Sequence, residues 1–338
     1  MFEWLTAALL LAASPFDWGV KKGFPVPPVP ADNPMSAAKV ELGRYLFYDE
    51  RLSVNGKQSC ASCHKQELAF TDGLARARGT TDEIHPRSSM SLVNVGYAPV
   101  LTWANPKMVS LEEQALVPML GTEPVELGLN GSEAKALAQL RSDPVYQRLF
   151  PAAFGSEGDA YTLPNVTKAI AAFERSIIST RSPYDRYRYG GEAGALSDAA
   201  RRGEIVFFSS EKAGCFQCHG GWSLSGGVRF EGGPVETHDI TQIRTPTLRN
   251  IAVTAPYMKD GSLATLADVI DRYASGRRAA DLPGQAAILR GFTLTDAERA
   301  DLIEFLKSLT DEALLTDPRW SNPWSNRHAS LSPQSDHR

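Results

Sequence analysis

Along residues 36–49, SAAKVELGRYLFYD, apolar side chains recur at three- and four-residue steps behind a serine, which predicts a helix capped by Ser36. Residues 197–208, SDAARRGEIVFF, repeat the plan. Each stretch has a leading serine, a glycine (Gly43, then Gly203) and an aromatic pair four residues later (Phe47 and Tyr48, then Phe207 and Phe208). Two further stretches are helical in period. NVTKAIAAFERSIIST, 165–180, reads as an amphipathic helix that closes a first domain. LTDAERADLIEFLKSL, 294–309, closes a second, with Thr295 as cap and Leu302, Ile303, Phe305, Leu306 and Leu309 apolar. No stretch sustains the two-residue alternation of a half-buried strand, and five prolines in FPVPPVPADNP exclude a helix over 24–34. The expectation is an all-α chain with long loops.

Both serine-glycine-aromatic helices lead into the same pentapeptide pattern, CASCH at 60–64 and CFQCH at 215–219. His64 and His219 stand 155 residues apart, which is a duplication of domain size and not a solenoid repeat. The turn-rich SPYDRYRYGGEAGALS, 182–197, is the natural joint. The predicted division is a leader over 1–14, a first domain over 15–188, a second over 189–315, and a polar tail over 316–338.

A chain of 338 residues suits two domains, and 43% apolar with 22% charged residues is enough to bury a core in each. A formal net charge of −4 with no long basic run gives no reason to expect nucleic acid as a partner. Leu5–Ala13 is nine apolar or small residues, short of the roughly 20 that a membrane span needs. It matches a signal-peptide core followed by small residues at Ala12–Ser14, although Glu3 stands where such a segment carries positive charge. Four cysteines are too few for a disulfide scaffold, and all four lie in the two pentapeptides as Cys60, Cys63, Cys215 and Cys218.

Cys-x-x-Cys-His is the attachment signature of c-type haem. The two thiols add to the vinyl groups on one edge of the macrocycle, and the adjacent histidine ligates the iron. A redox dithiol has no use for that histidine, and its presence after both pairs, in duplicated domains, favours haem over half of a zinc site. The expectation is two cytochrome-c-like domains, each on one covalent haem c, with His64 and His219 as iron ligands. Such haem is attached outside the cytoplasm, which supports export to the periplasm.

Three stretches carry a resemblance that covers about residues 30–315. They are KVELGRYLFYDERLS (39–53), SLEEQALVPMLGTEPVELG (110–128) and RTPTLRNIAVTAPYMKDGS (244–262). The chain resembles the bacterial di-haem cytochrome c peroxidases, within them the MauG-like branch, and looks most similar to the di-haem enzymes of methanobactin gene clusters. That resemblance implies an open first haem with a glutamate above it. The family has Gln-Ala-x-x-Pro and a Glu six residues after the proline. Here Gln114 and Pro118 match, and Glu126 falls eight residues after, with Glu123 as its rival. A carboxylate there moves the proton that O–O cleavage requires. The resemblance gives Gln114 the orienting of peroxide, and Trp103 a relay role between the haems. A peroxidase has a methionine fourteen residues past the histidine of a P-Y-x-H-D-G motif. This chain has Lys259 in the histidine position and Tyr273 fourteen residues on, the MauG-like choice of second-haem ligand. Met258 is off that register. Tyrosinate stabilises oxidised iron where methionine raises the potential.

The family also binds calcium between its domains. Thr254 and Pro256 match its carbonyl ligands, and Ser88 replaces its asparagine. His85 reads as a loop residue, and His238, His328 and His337 as surface residues. The function implied is an oxidase that reacts with hydrogen peroxide, holds a high-valent state across two irons, and oxidises an aromatic residue of a partner protein. Two other readings stay open. A peroxidase fed by a small electron carrier is opposed by Tyr273, and a passive di-haem carrier by the QALVP…PVELG stretch.

Overall fold

The side chain of Ser36 accepts from the Lys39 amide and starts α1, Ala37–Phe47. In the computed structural model, which describes residues 16–21, 23–103, 105–225, 244–276 and 291–325, ten more helices follow. They are α2 (Cys60–Cys63), α3 (Leu111–Gln114), α4 (Leu116–Leu120), α5 (Glu133–Ser142), α6 (Pro144–Phe154), α7 (Leu163–Arg175), α8 (Pro183–Arg188), α9 (Asp198–Phe208), α10 (Leu266–Ala274) and α11 (Asp296–Lys307). Among the described residues strand-like pairing is limited to isolated bridges, Lys65 with Thr71, Arg78 with Ile84 and Tyr257 with Leu263. The fold is all-α. The expected leader over 1–14, and His238, His328 and His337, lie outside the described residues.

The two halves are built on one crossing used twice. A Cβ on Gly43 would lie 1.9 Å from the Ala169 carbonyl oxygen and 2.9 Å from Phe173 Cβ, so α1 crosses α7 backbone against backbone. A Cβ on Gly203 would lie 1.9 Å from the Asp301 carbonyl oxygen and 2.8 Å from Phe305 Cβ, where α9 crosses α11. No residue but glycine permits that approach. The duplication therefore sets Ala169 against Asp301 and Phe173 against Phe305.

Each crossing organises its own core. Leu42, Leu46, Phe47, Phe70, Tyr146, Phe150 and Phe173 fill the first, and Tyr184, Leu196, Phe207, Leu302, Phe305 and Leu309 the second. Two sequence expectations are corrected. Helix α7 ends at Arg175, short of residue 180, because the Asn94 amide takes the Ile177 carbonyl (2.9 Å) and draws the chain out of helix. Residues 316–324 are not a free polar tail. Leu314 and Trp320 sit in the first core, Tyr48 Oη donates to the Trp320 carbonyl (2.7 Å), and Trp324 Nε1 donates to that of Tyr45 (3.1 Å). The C-terminal segment thus straps the second half onto the first.

Between the halves lies a buried polar seam. Asn94 and Asn250 both adopt left-handed backbone (φ 58° and 59°). Ser179 is shared by the two, its amide donating to Asn94 Oδ1 (2.9 Å) and its hydroxyl accepting from Asn250 Nδ2 (3.1 Å). Beside them Arg249 Nη1 donates to both oxygens of Asp185 (2.8 and 2.7 Å), with both side chains essentially inaccessible. Removing one partner of such a pair leaves a buried charge without compensation. Arg249→Ala should cost about 3–5 kcal/mol in urea unfolding of the haem-loaded protein. Arg202→Ala, at the mostly solvent-exposed end of the Arg202–Asp301 pair, should cost under about 1 kcal/mol.

Candidate functional site

Helix α2 is a single turn, and its geometry delivers the histidine. The His64 amide donates to the Cys60 carbonyl (3.0 Å), and His64 Nδ1 lies 2.8 Å from the Phe70 carbonyl oxygen. A carbonyl only accepts, so Nδ1 carries the proton and Nε2 is left bare for a metal. In the second half the His219 amide donates to the Cys215 carbonyl (2.8 Å), and His219 Nδ1 to that of Leu224 (3.3 Å). Both accepting carbonyls belong to residues in left-handed backbone, Phe70 (φ 60°) and Leu224 (φ 48°), a rare conformation outside glycine. Burial pulls His64 below the ordinary histidine value and pushes His219 down to about 4, so both imidazoles are neutral, as a ligand must be. The four cysteines are unpaired, and burial pushes the Cys63 and Cys215 thiols up to about 12. Protonated, unpaired thiols beside a neutral imidazole with one free nitrogen are the donor set that covalent haem requires.

Beside α2 opens a cavity of about 610 Å³, solvent mouth included, walled by Cys60, Cys63, His64, Leu92, Ala115, Leu127 and Ile170. An apolar wall meeting two thiols and an imidazole fits a haem. The same cavity gathers Gln114, Pro118 and Glu126. Pro118 has no amide to offer the Gln114 carbonyl, so the helix breaks into α3 and α4 at Ala115. The loop beyond is fixed by backbone bonds, Leu127 to Pro118 (2.8 Å), Leu129 to Met119 (2.8 Å) and Thr80 to Glu126 (2.8 Å). Gly79 admits it, since a Cβ there would lie 1.7 Å from the Val125 carbonyl oxygen. Glu126 is thereby turned into the cavity, whereas Glu123 is exposed and outside its wall.

His85 does more than the sequence suggests. It is a loop residue, but its Nε2 lies 3.5 Å from Glu126 Oε1, and that carboxylate raises the imidazole above the ordinary 6.5. Trp103 stands at the junction of the halves. Its Nε1 donates to the Ser88 carbonyl (2.8 Å), and its own carbonyl accepts from the Arg244 amide (2.9 Å). The Ser88 amide donates to the Lys259 carbonyl (2.8 Å), which brings Ser88 near the loop that holds Thr254 and Pro256. These three offer hydroxyl and carbonyl oxygens without a carboxylate, a weak set for a hard cation. Tyr273 is half-buried on α10 and shares the core-facing side with Leu266 and Ile270.

The cavity wall also holds Glu174, and half-buried Arg244 bonds the Trp103 carbonyl through its amide, with desolvation pushing its guanidinium down to about 10. Neither was singled out from the sequence. Glu174 reads as the polar side of an amphipathic helix, and only its surroundings set it apart.

The His85–Glu126 contact has a measurable consequence. Protonated His85 ties down the carboxylate, and deprotonation frees it as a base. The second-order rate with peroxide should rise as pH climbs through a value above 6.5, and His85→Gln should flatten that rise. A stopped-flow pH profile with the same inflection in both proteins would remove His85 from the site.

Residues 37–193 match the family model described as di-haem cytochrome c peroxidase, and residues 201–310 that of cytochrome c. The chain is 36% identical over 307 residues to the methylamine utilization protein MauG of Methylorubrum extorquens, covering 86% of this chain and 84% of that one. It is 35% identical over 345 residues to a cytochrome-c peroxidase of Denitromonas iodatirespirans, covering 87% and 88%. A crystal structure of a MauG-like protein associated with microbial copper homeostasis aligns with a TM-score of 0.84 at 40% identity, over 91% of this chain and 99% of that one.

Proposed function

The chain belongs to the di-haem cytochrome c peroxidase and MauG family, and from that premise we propose that it is a MauG-like oxidase that uses hydrogen peroxide to oxidise an aromatic residue, a tryptophan by preference, on a partner protein. It is a haem-dependent oxidoreductase with two c-type haems. The haems, once attached through Cys60 and Cys63 and through Cys215 and Cys218, supply the redox chemistry with peroxide. This chain's residues do the rest. His64 and His219 ligate through Nε2. Gln114 orients the peroxide. Glu126 takes a proton from one peroxide oxygen and returns it to the other, which is the leaving one. Trp103 relays between the halves. No helix among the described residues is long and apolar enough to cross a membrane, and we place the enzyme in the periplasm, where c-type haem is attached.

The observation that carries the oxidase reading is Tyr273, fourteen residues past Lys259 and on the inner side of α10. As the second iron's ligand it would disfavour uptake of electrons from a carrier and favour the holding of an oxidising equivalent. A partner that handles copper agrees with the MauG-like protein associated with copper homeostasis. A second reading, peroxide reduction with electrons from a small carrier, is favoured by the near-equal likeness to the Denitromonas peroxidase. Calcium remains a proposal of the family resemblance, through Ser88, Thr254 and Pro256.

Peroxide titration of the holoprotein, followed optically and by EPR, separates the two. The oxidase should show one high-spin haem and a long-lived state oxidised by two equivalents. Rapid turnover with reduced cytochrome c would establish the peroxidase instead. Glu126→Gln should keep both haem spectra and slow the peroxide reaction by about 10²–10⁴-fold. An unchanged rate in Glu126→Gln with a slowed Glu123→Gln would move the role to Glu123. Tyr273→His should load both haems, raise the second haem's potential and abolish the long-lived state. An unaltered second-haem spectrum would show that Tyr273 is not the ligand.

A further inference from the structure

The duplicated crossing gives residues 164–175 of α7 counterparts at 296–307 on α11. With Ala169 against Asp301 and Phe173 against Phe305, Ile170 matches Leu302 and Glu174 matches Leu306. Ile170, Leu302 and Leu306 are buried apolar side chains, as this face demands. Glu174 is equally buried, at 5% exposure, but is a carboxylic acid, and it walls the first cavity next to Ile170. Its Oε2 has no hydrogen-bond partner among the described residues.

The nearest cation does not answer it. Arg175 Nη2 donates to Glu112 Oε1 (2.9 Å), Nη1 reaches the Ala171 carbonyl (3.4 Å), and Glu112 also accepts from Asn33 Nδ2 (2.7 Å). The other titratable groups around it are Glu112 from α3 and, in the cavity wall, Cys60, Cys63, His64, Arg78 and Glu126. From α1, Lys39 Nζ is turned to Asn33 and Pro34. A carboxylate in that setting is a buried charge without a partner, which proteins avoid by keeping the proton. Burial and Glu112 accordingly push Glu174 up to about 8 despite Arg175. A neutral carboxyl is a donor, and this one shares the cavity with Glu126.

We propose that Glu174 is the proton-holding residue of the first haem cavity, a neutral acid that supplies one of the two protons consumed when peroxide becomes water and is then reprotonated from solvent. The balance is H₂O₂ with two protons and two electrons giving two waters. The electrons come from the enzyme's reduced partner, and the second proton comes from bulk water. Glu126 moves a proton between peroxide oxygens and adds none. Glu174 adds one. The second half does not need that proton, and it carries Leu306.

The proposal rests on haem occupying this cavity, which the stoichiometry of two covalent haems reads separately. The test is redox-triggered infrared difference spectroscopy of the di-haem holoprotein at pH 7, together with the rate of peroxide reduction by an artificial electron donor. Wild type and Glu126→Gln should show the C=O band of a protonated carboxyl that shifts in D₂O. Glu174→Gln and Glu174→Leu should lack the band, keep both haems, and reduce peroxide about 10²-fold more slowly. A band that survives in either Glu174 variant, or is absent from wild type, overturns the proposal. So does an unchanged rate after the band is lost. Failure of both variants to load haem would make the carboxyl structural and would also overturn it. No arm uses a partner protein, so the outcome is independent of the oxidase reading.

Discussion

The hydrogen bond from each histidine's Nδ1 to a nearby carbonyl is the constraint on which the rest of the molecule depends. An imidazole on a one-turn helix could rotate about two bonds. The Phe70 and Leu224 carbonyls stop that rotation, fix the tautomer and aim Nε2. Both carbonyls are aimed by left-handed backbone at non-glycine residues, a conformation held only where surrounding packing over-determines it. In the first half that packing includes Phe70 itself, fully buried in the core that α1 and α7 organise at Gly43. The backbone crossing, the strained turn and the aimed nitrogen are steps of one arrangement, used twice.

What differs between the halves is the chemistry placed on that shared frame. The first half spends a longer chain on a cavity, and the break at Pro118 and the loop to Leu129 bring in Gln114 and Glu126. The second half is apolar at Leu306, where the first has Glu174. Duplication supplied the scaffold, and local departures from it mark where function was added. Internal comparison of the two halves locates such departures without any other sequence.

The frame was legible because its signals are local. A cap, a glycine four residues before an aromatic, and the Cys-x-x-Cys-His turn each lie within one helix or one turn. The rest depends on contacts between distant segments. Spacing leaves Glu123 and Glu126 as rivals, and only the bonds to Pro118, Met119 and Thr80 turn Glu126 inward. His85 reads as a loop residue until its amide bonds the Ala77 carbonyl (2.8 Å) and the bridge between Arg78 and Ile84 folds it back toward residue 126. The polar composition of residues 316–324 hides the anchors Trp320 and Trp324, whose indole nitrogens find partners 144 and 279 residues away. Residues 165–180 are helical in pattern, but the demand of Asn94 for the Ile177 carbonyl outweighs that preference.

Trp103 shows how junction geometry bears on the proposed relay. Its indole N–H donates to the Ser88 carbonyl, an acceptor that cannot take the proton away. An indole that loses an electron becomes far more acidic, and with a carboxylate or a water chain at Nε1 it would shed the proton and settle as a stable neutral radical. Against a carbonyl it would keep the proton and remain a strong oxidant, as the proposed relay requires. Arg244 holds the residue in place, its amide donating to the Trp103 carbonyl (2.9 Å) and its Nη1 to the Leu101 carbonyl (3.3 Å). The junction is thus suited to brief occupancy of Trp103 and poorly suited to storage, and in the proposed scheme storage falls to the half that carries Tyr273.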